Sequence, residues 1–138
     1  MARAGGNVSL AIPPRAAREL TETELVHAIL VAINSTGYAR VWRNNVGKLA
    51  DANGRVVTYG LAVGSADLIG IVQVRPGEPA LPDVGRFLAL EVKRPGKKAT
   101  DDQMRWLKVV ADMGAVAAVV TSVDEALAVV RDARSGLR

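Results

Sequence analysis

The stretch Arg86-Phe87-Leu88-Ala89-Leu90-Glu91-Val92-Lys93 reads as a β-strand whose apolar run ends on two charges. Alternate side chains of a strand share a face. Ala89, Glu91 and Lys93 therefore project together, while Leu88, Leu90 and Val92 face the other way. Charge on an otherwise buried strand is costly unless it is paired or binds a cation. Asp67 opens an earlier apolar run, Asp67 to Val74. If the two strands are neighbours, it brings a second carboxylate to the same place. Two carboxylates and an ammonium gathered at strand ends suit a divalent cation and a phosphodiester.

Between these strands, Arg75 to Gly85 carries Pro76, Pro79 and Pro82 and reads as a hairpin loop. Arg94 to Lys98 is a basic turn, after which Thr100 and Gln103 stand at the two positions of a capping box. The helix they open runs through Met104, Leu107, Val110 and Ala111 to Gly114. Ala115 to Thr121 is apolar throughout and predicts a strand covered on both faces. Ser122 with Glu125 opens a last helix through Leu127, Val130 and Ala133.

Upstream, Thr21 and Glu24 form another capping box, and Leu25, Val26, Ile29, Leu30 and Ile33 recur at helical spacing up to Gly37. Ala39 to Arg43 is a short strand, Asn44 to Lys48 a polar turn containing Gly47, and Arg55 to Tyr59 another strand. The order α-β-β-β-β-α-β-α predicts an α/β fold with a mixed central sheet flanked by helices. Residues 1–18, with Gly5-Gly6 and Pro13-Pro14, read as a flexible arm, and 19–138 as one domain.

The 138 residues contain no cysteine, which excludes disulfides, thiolate metal sites and Cys nucleophiles. No apolar stretch approaches the ~18 residues a membrane span needs. The first residues lack a signal peptide's apolar segment, so a cytoplasmic protein is expected. A phosphate loop is absent, so no nucleotide cofactor is expected. The net charge is +4, concentrated around Arg40, Arg43 and Lys48 and around Arg94, Lys97, Lys98, Arg105 and Lys108. Such patches favour a polyanionic partner, although a solvated surface accounts for charge alone. His27 is the sole histidine, so a His-rich metal centre is excluded. On a nearly all-apolar helix it is expected to be packed or snorkelling. Trp42 and Trp106 read as core or interface anchors, and Trp42 beside Arg43 could also stack on a base.

The ordered set of Glu, Asp, Glu-x-Lys and Gln resembles the PD-(D/E)XK nuclease superfamily, and within it the virus-type replication-repair (VRR-NUC) nucleases. The resemblance rests on Glu22-Thr23-Glu24-Leu25, Val41 to Gly47, Gly64 to Gly70, Leu90-Glu91-Val92-Lys93, Lys98 to Gln103 and the late strand up to Ser122. Where the family has Pro before the aspartate, this chain has Ala66. That exchange removes a stiff residue but no ligand atom.

The resemblance implies a restriction-endonuclease-like core and a Mg²⁺- or Mn²⁺-dependent DNA endonuclease. Its expected ligands are Asp67, Glu91 and the main-chain carbonyl of Val92, a set that suits a cation preferring oxygen donors and retained waters. Lys93 would orient the attacking water, deprotonate it or stabilise phosphate charge. Positioning and charge stabilisation are preferred, because adjacent carboxylates oppose a depressed lysine pKa. Glu22 is the favoured extra ligand from the first helix, since Glu24 is accounted for by capping. Gln103 serves as cap, as phosphate or water contact, or as both.

Arg43, Asn45, Lys48, Arg94, Lys97, Lys98 and Arg105 are the candidate nucleic-acid contacts. Standalone relatives are similar in acting on four-way junctions, which implies a homodimeric Holliday-junction resolvase, of a kind suited to a phage or prophage. Exposed Leu61, Val63 and Val84 are candidate contacts between copies. The alternatives are a restriction-type, flap or RNA nuclease of the same fold, a non-catalytic nucleic-acid-binding module, and an interaction protein whose carboxylates are surface charges.

Overall fold

A computed structural model of the chain describes residues 18–77 and 81–138. The expected N-terminal arm lies outside them except for Arg18, as does the Pro79 segment of the hairpin loop. Helix α1 (Glu22–Asn34) starts at its Thr21 capping box, with both reciprocal hydrogen bonds made. Its apolar stripe buries Leu25, Val26, Ile29 and Ile33. Strands β1 (Ala39–Arg43), β4 (Leu68–Val74), β5 (Val84–Val92) and β6 (Val116–Val120) form the central sheet in the order β1-β4-β5-β6. The first two junctions are antiparallel and β5–β6 is parallel, so the sheet is mixed as expected. Helix α2 (Asp101–Asp112) makes the right length of crossover between the parallel strands, and α3 (Val123–Arg134) closes the chain.

The two faces of the sheet are unequal. Leu68, Val72, Leu88, Leu90, Val92, Val116 and Val120 pack against α1 and α3 in the main core. Burying each such side chain contributes roughly 1.5–3 kcal/mol, so this face supplies most of the stability. On the other face α2 covers only a small cluster around Ala66, Ala89 and Leu107. Trp106 of α2 meets Phe87 edge-on, with ring centroids 6.5 Å apart. Beyond the reach of α2 this face is open, and Trp42, Ile71 and Phe87 remain 54%, 49% and 40% exposed. Trp42 is therefore not a core anchor, because its strand lies past the helix that would cover it. His27 is exposed on α1 rather than packed.

One difference from expectation matters for function. Asn44 to Lys48 is not simply a turn: β2 (Gly47–Ala50) begins inside it and pairs antiparallel with β3 (Val56–Tyr59). The pair stands apart from the central sheet as a separate two-stranded ribbon. Its loop is held by Asp51, whose Oδ1 accepts from the N–H groups of Asn53 and Arg55 at 2.8 Å each.

Edge strand β1 is blocked by a side chain. Asn34 donates Nδ2 to the Val41 carbonyl at 3.1 Å and accepts from the Val41 N–H at 2.8 Å. It occupies the place of a neighbouring strand's peptide group. Asn34→Ala is expected to cost about 1–3 kcal/mol by leaving both groups unmet. A fall in the urea midpoint without a change in slope checks this; an unchanged midpoint counts against the clamp.

Candidate active site

Strand register is what brings the two carboxylates together. The β4–β5 ladder ends with Leu68 opposite Leu90. One step further in the same register sets Asp67 opposite Glu91, and directly opposed residues share a face with Cβ atoms about 4.5–5.5 Å apart. Asp67 Oδ2 accepts from the Val92 N–H at 2.9 Å, which pins its carboxylate over the end of β5. The Lys93 N–H donates to the Val120 carbonyl at 3.0 Å, on the β6 side. Across a trans peptide the Val92 carbonyl points the opposite way, toward the edge where Asp67 sits. Two carboxylates and one peptide oxygen thus converge at one corner of the sheet.

Glu91 is the unusual member, 1% exposed and fully within the fold. Its Oε1 is well served: Lys93 Nζ lies 3.1 Å away and Gln103 Nε2 donates at 2.5 Å. Its Oε2 is buried and receives no hydrogen bond. Burial first, and the charge of Asp67 second, push the Glu91 carboxyl up to about 7, with Lys93 opposing but not outweighing them. Burial acts to lower the Lys93 ammonium, yet its pairing with Glu91 and the fields of Glu22 and Asp67 raise it overall. Lys93 is therefore charged at neutral pH. A buried carboxylate with one unmet oxygen, beside a second carboxylate, is a donor set that could hold a cation.

Gln103 performs both roles open to it in the sequence. Its Oε1 accepts from the Thr100 N–H at 2.8 Å, completing the capping box of α2, and its Nε2 reaches Glu91. The helix start therefore fixes which end of the amide faces the site. Glu22 is the residue expected as an extra ligand, directly or through water. It is exposed on the first turn of α1, and its charge reaches Lys93. Among the described residues, no three His, Asp or Glu side chains gather closely enough to hold an ion. Glu24 is engaged by Thr21 and by Arg18 at 2.6 Å.

The basic candidates divide into two groups. Arg94 is paired with Glu19 at 2.8 Å and Arg105 with Asp102 at 3.1 Å. Arg43, Asn45, Lys48, Lys97 and Lys98 are exposed, and Lys48 lines a cleft that ends at Asp67 and Gln103.

Asn44, expected only as part of a turn from Asn44 to Lys48 that could approach nucleic-acid backbone, has a structural role at the site. Its N–H donates to the Asp67 carbonyl at 2.8 Å, and its Nδ2 donates to Ser65 Oγ at 2.8 Å and to the Ala66 carbonyl at 2.9 Å. It staples the segment leading into Asp67 to the end of β1. The available signal was an amide residue directly after a strand and before a glycine-rich segment, which reads equally well as a turn.

An α/β domain carrying an acidic pair and a lysine at adjoining strand ends, with a glutamine at the following helix start, defines the class. The profile of the VRR-NUC domain family matches residues 22–124. The chain belongs to that family and is accordingly a nuclease domain whose substrate is nucleic acid. No curated protein matches the chain. No helix among the described residues is long and apolar enough to cross a membrane.

The elevated Glu91 has a thermodynamic consequence. A carboxyl raised above its ordinary 4.5 contributes stability that is fully present below about 4.5 and is lost as pH rises through about 7. Glu91→Gln is expected to stabilise the cation-free protein at about pH 8 by on the order of 1–3 kcal/mol, and to leave it nearly unchanged at about pH 4. Urea unfolding at the two pH values checks this. Equal stability of variant and parent at the higher pH would contradict a strained acidic pair.

Proposed function

We propose that the chain is a Mg²⁺- or Mn²⁺-dependent DNA endonuclease. The observation that carries this is the buried, unpartnered Oε2 of Glu91 beside Asp67. Asp67, Glu91 and the Val92 carbonyl are the residues that would hold the cation. Two carboxylates and a carbonyl leave the remaining positions of an octahedral shell to water and phosphate oxygens. A bound cation supplies Lewis-acid polarisation of the phosphoryl oxygen and lowers the pKa of a water.

The protein's own groups do the rest. Hydrolysis joins a water oxygen to phosphorus while the bridging P–O bond breaks and the departing oxygen takes up a proton. Lys93, held at 3.1 Å from Glu91 and charged, positions the water and offsets charge developing on the phosphate. It does not serve as the base in this protonation state. Gln103, itself held by the α2 capping box, restrains Glu91 through Oε1 and leaves Oε2 as the oxygen that would meet a cation. Glu22 contributes long-range charge that keeps Lys93 protonated.

The preferred specialisation is a homodimeric resolvase of four-way junctions, since a twofold pair of sites suits two cuts across a symmetric branched substrate. The open sheet face bearing Trp42, Ile71 and Phe87 supports this reading as the surface a second copy would cover. Sedimentation equilibrium decides the dimer; a monomer at micromolar concentration removes it and favours the flap-type alternative.

Lys93→Ala is expected to lower cleavage at least about 10²-fold while DNA binding persists with Ca²⁺ in place of Mg²⁺. The check is a panel of duplex, single-strand, flap and four-way-junction DNA with each metal. Cleavage at the parent rate by Asp67→Ala or Glu91→Ala would defeat the assignment. Asn44→Ala is expected to weaken Mn²⁺ binding roughly 10–100-fold through a loosened Asp67, measured by calorimetric titration. Parent-like affinity would limit Asn44 to folding.

A further inference from the structure

The cleft between the β2–β3 ribbon and the start of α2 encloses about 520 Å³ and terminates at Asp67 and Gln103. This lies within the ~300–1,000 Å³ range of small-ligand sites. Its lining is mixed, with polar surface from Asn44, Lys48, Thr58, Ser65, Asp67 and Gln103 and an apolar part that a phosphate alone does not use. Val46, Tyr59, Leu61 and Val63 line it, and they are 38%, 44%, 55% and 72% exposed. Lys48 and Thr58, opposite each other on the ribbon, add a polar rim.

A phosphodiester presents charge and acceptor oxygens, and it gains nothing from four apolar side chains. The flat face of a nucleobase does gain from them. In a duplex, both faces of every base are covered by neighbouring bases. Only an unpaired nucleotide, or one turned out of the stack, offers a face to protein.

Tyr59 is built for that contact. It stands directly opposite Gly47 in the ribbon. A Cβ on Gly47 would lie 2.2 Å from the Tyr59 hydroxyl oxygen, so the ring lies across the bare backbone there and only glycine leaves it room. An aromatic ring held in place on a short ribbon is a stacking platform whose ordering cost is met on folding rather than on binding.

We infer that this cleft binds an unstacked nucleobase of the strand being cut, adjacent to the phosphate at Asp67 and Glu91. The inference rests on the nuclease reading of that site and specifies how its substrate is read: a nucleotide next to the scissile bond that is unpaired or turned out of the stack, as at a flap or at the opened branch point of a junction. Tyr59 stacks on the base, Val46, Leu61 and Val63 enclose it, and Lys48 meets the flanking phosphate.

The test is equilibrium binding of the full chain by fluorescence anisotropy, with Ca²⁺ in place of Mg²⁺. Labelled flap duplexes carry either thymidine or abasic residues at the base of the single strand. The base-bearing flap is expected to bind at least about fivefold tighter, the lower end of one stacked base. Tyr59→Ala, an exposed position that leaves the core intact, is expected to abolish the difference, and Tyr59→Phe to keep it. Leu61→Ser removes part of the wall and is expected to reduce the ratio. Equal affinity for the two flaps, or an undiminished ratio in Tyr59→Ala, overturns the inference; a cleft occupied by a second copy would give the first of these. Cleavage of the thymidine flap with Mg²⁺ is read in parallel. A chain that discriminates without cutting keeps the cleft and overturns the nuclease reading, and one that cuts without discriminating overturns the cleft alone.

Discussion

The structure is organised around a carboxylate that has no good reason to be buried except what it faces. Glu91 is enclosed by the sheet and α2, next to a second acid, with one oxygen unmet. Removing an ionised group from water costs several kcal/mol even after relaxation. That cost is borne by the opposite face of the same strand, where Leu88, Leu90 and Val92 are fully buried. The alternation of β5 thus divides the labour: one face generates stability and the other spends part of it. The resulting strain is local; a proton relieves it, and on the proposed reading a cation would do the same.

The surrounding contacts keep that relief from coming by movement. A free glutamate could swing toward solvent or toward a helix N-terminus. Here Gln103 is already fixed by the α2 capping box when it meets Oε1, and Lys93 meets the same oxygen. Asp67 is tethered at both ends, its side chain by the Val92 N–H and its carbonyl by the Asn44 N–H. Each tether also belongs to an element that must form for the fold to exist: a helix cap, a strand end, a loop staple. The geometry of the acidic pair is therefore inherited from the fold rather than added to it.

This inheritance explains which parts were legible in the sequence. Capping boxes at Thr21 and Thr100 and the alternation of Phe87 to Lys93 are local rules with few competitors, and the structure follows them. The pairing of Asp67 with Glu91 was legible because register between strands joined by one hairpin is nearly determined by their apolar patterns. What stayed hidden depended on relations across the fold. Of the β2–β3 ribbon, β3 was legible as Arg55 to Tyr59, whereas β2 is four residues long and almost wholly exposed, so it lacks the hydrophobic periodicity by which strands are recognised. Trp42 looked like core because tryptophan usually is; only the placement of α2 reveals that nothing covers it. Asn44 carried no signal distinguishing a staple from a turn.

The charged periphery then acquires a distinct role from the centre. Arg94 and Arg105 sit in exposed ion pairs with Glu19 and Asp102. Pairs of that kind contribute about 0–1 kcal/mol, so a phosphate can displace either acid at little cost. With exposed Lys48, Lys97 and Lys98 they form a rim whose attraction to a polyanion is long-ranged, indifferent to sequence and screened by salt. The apolar wall of the cleft has the opposite properties: it acts only at contact, is little affected by salt, and meets an exposed base face differently from a stacked one. A nuclease domain of this size gains affinity from the rim, but the rim cannot tell where along a strand to cut. With a base seated against Tyr59, that choice would fall to the wall of the cleft.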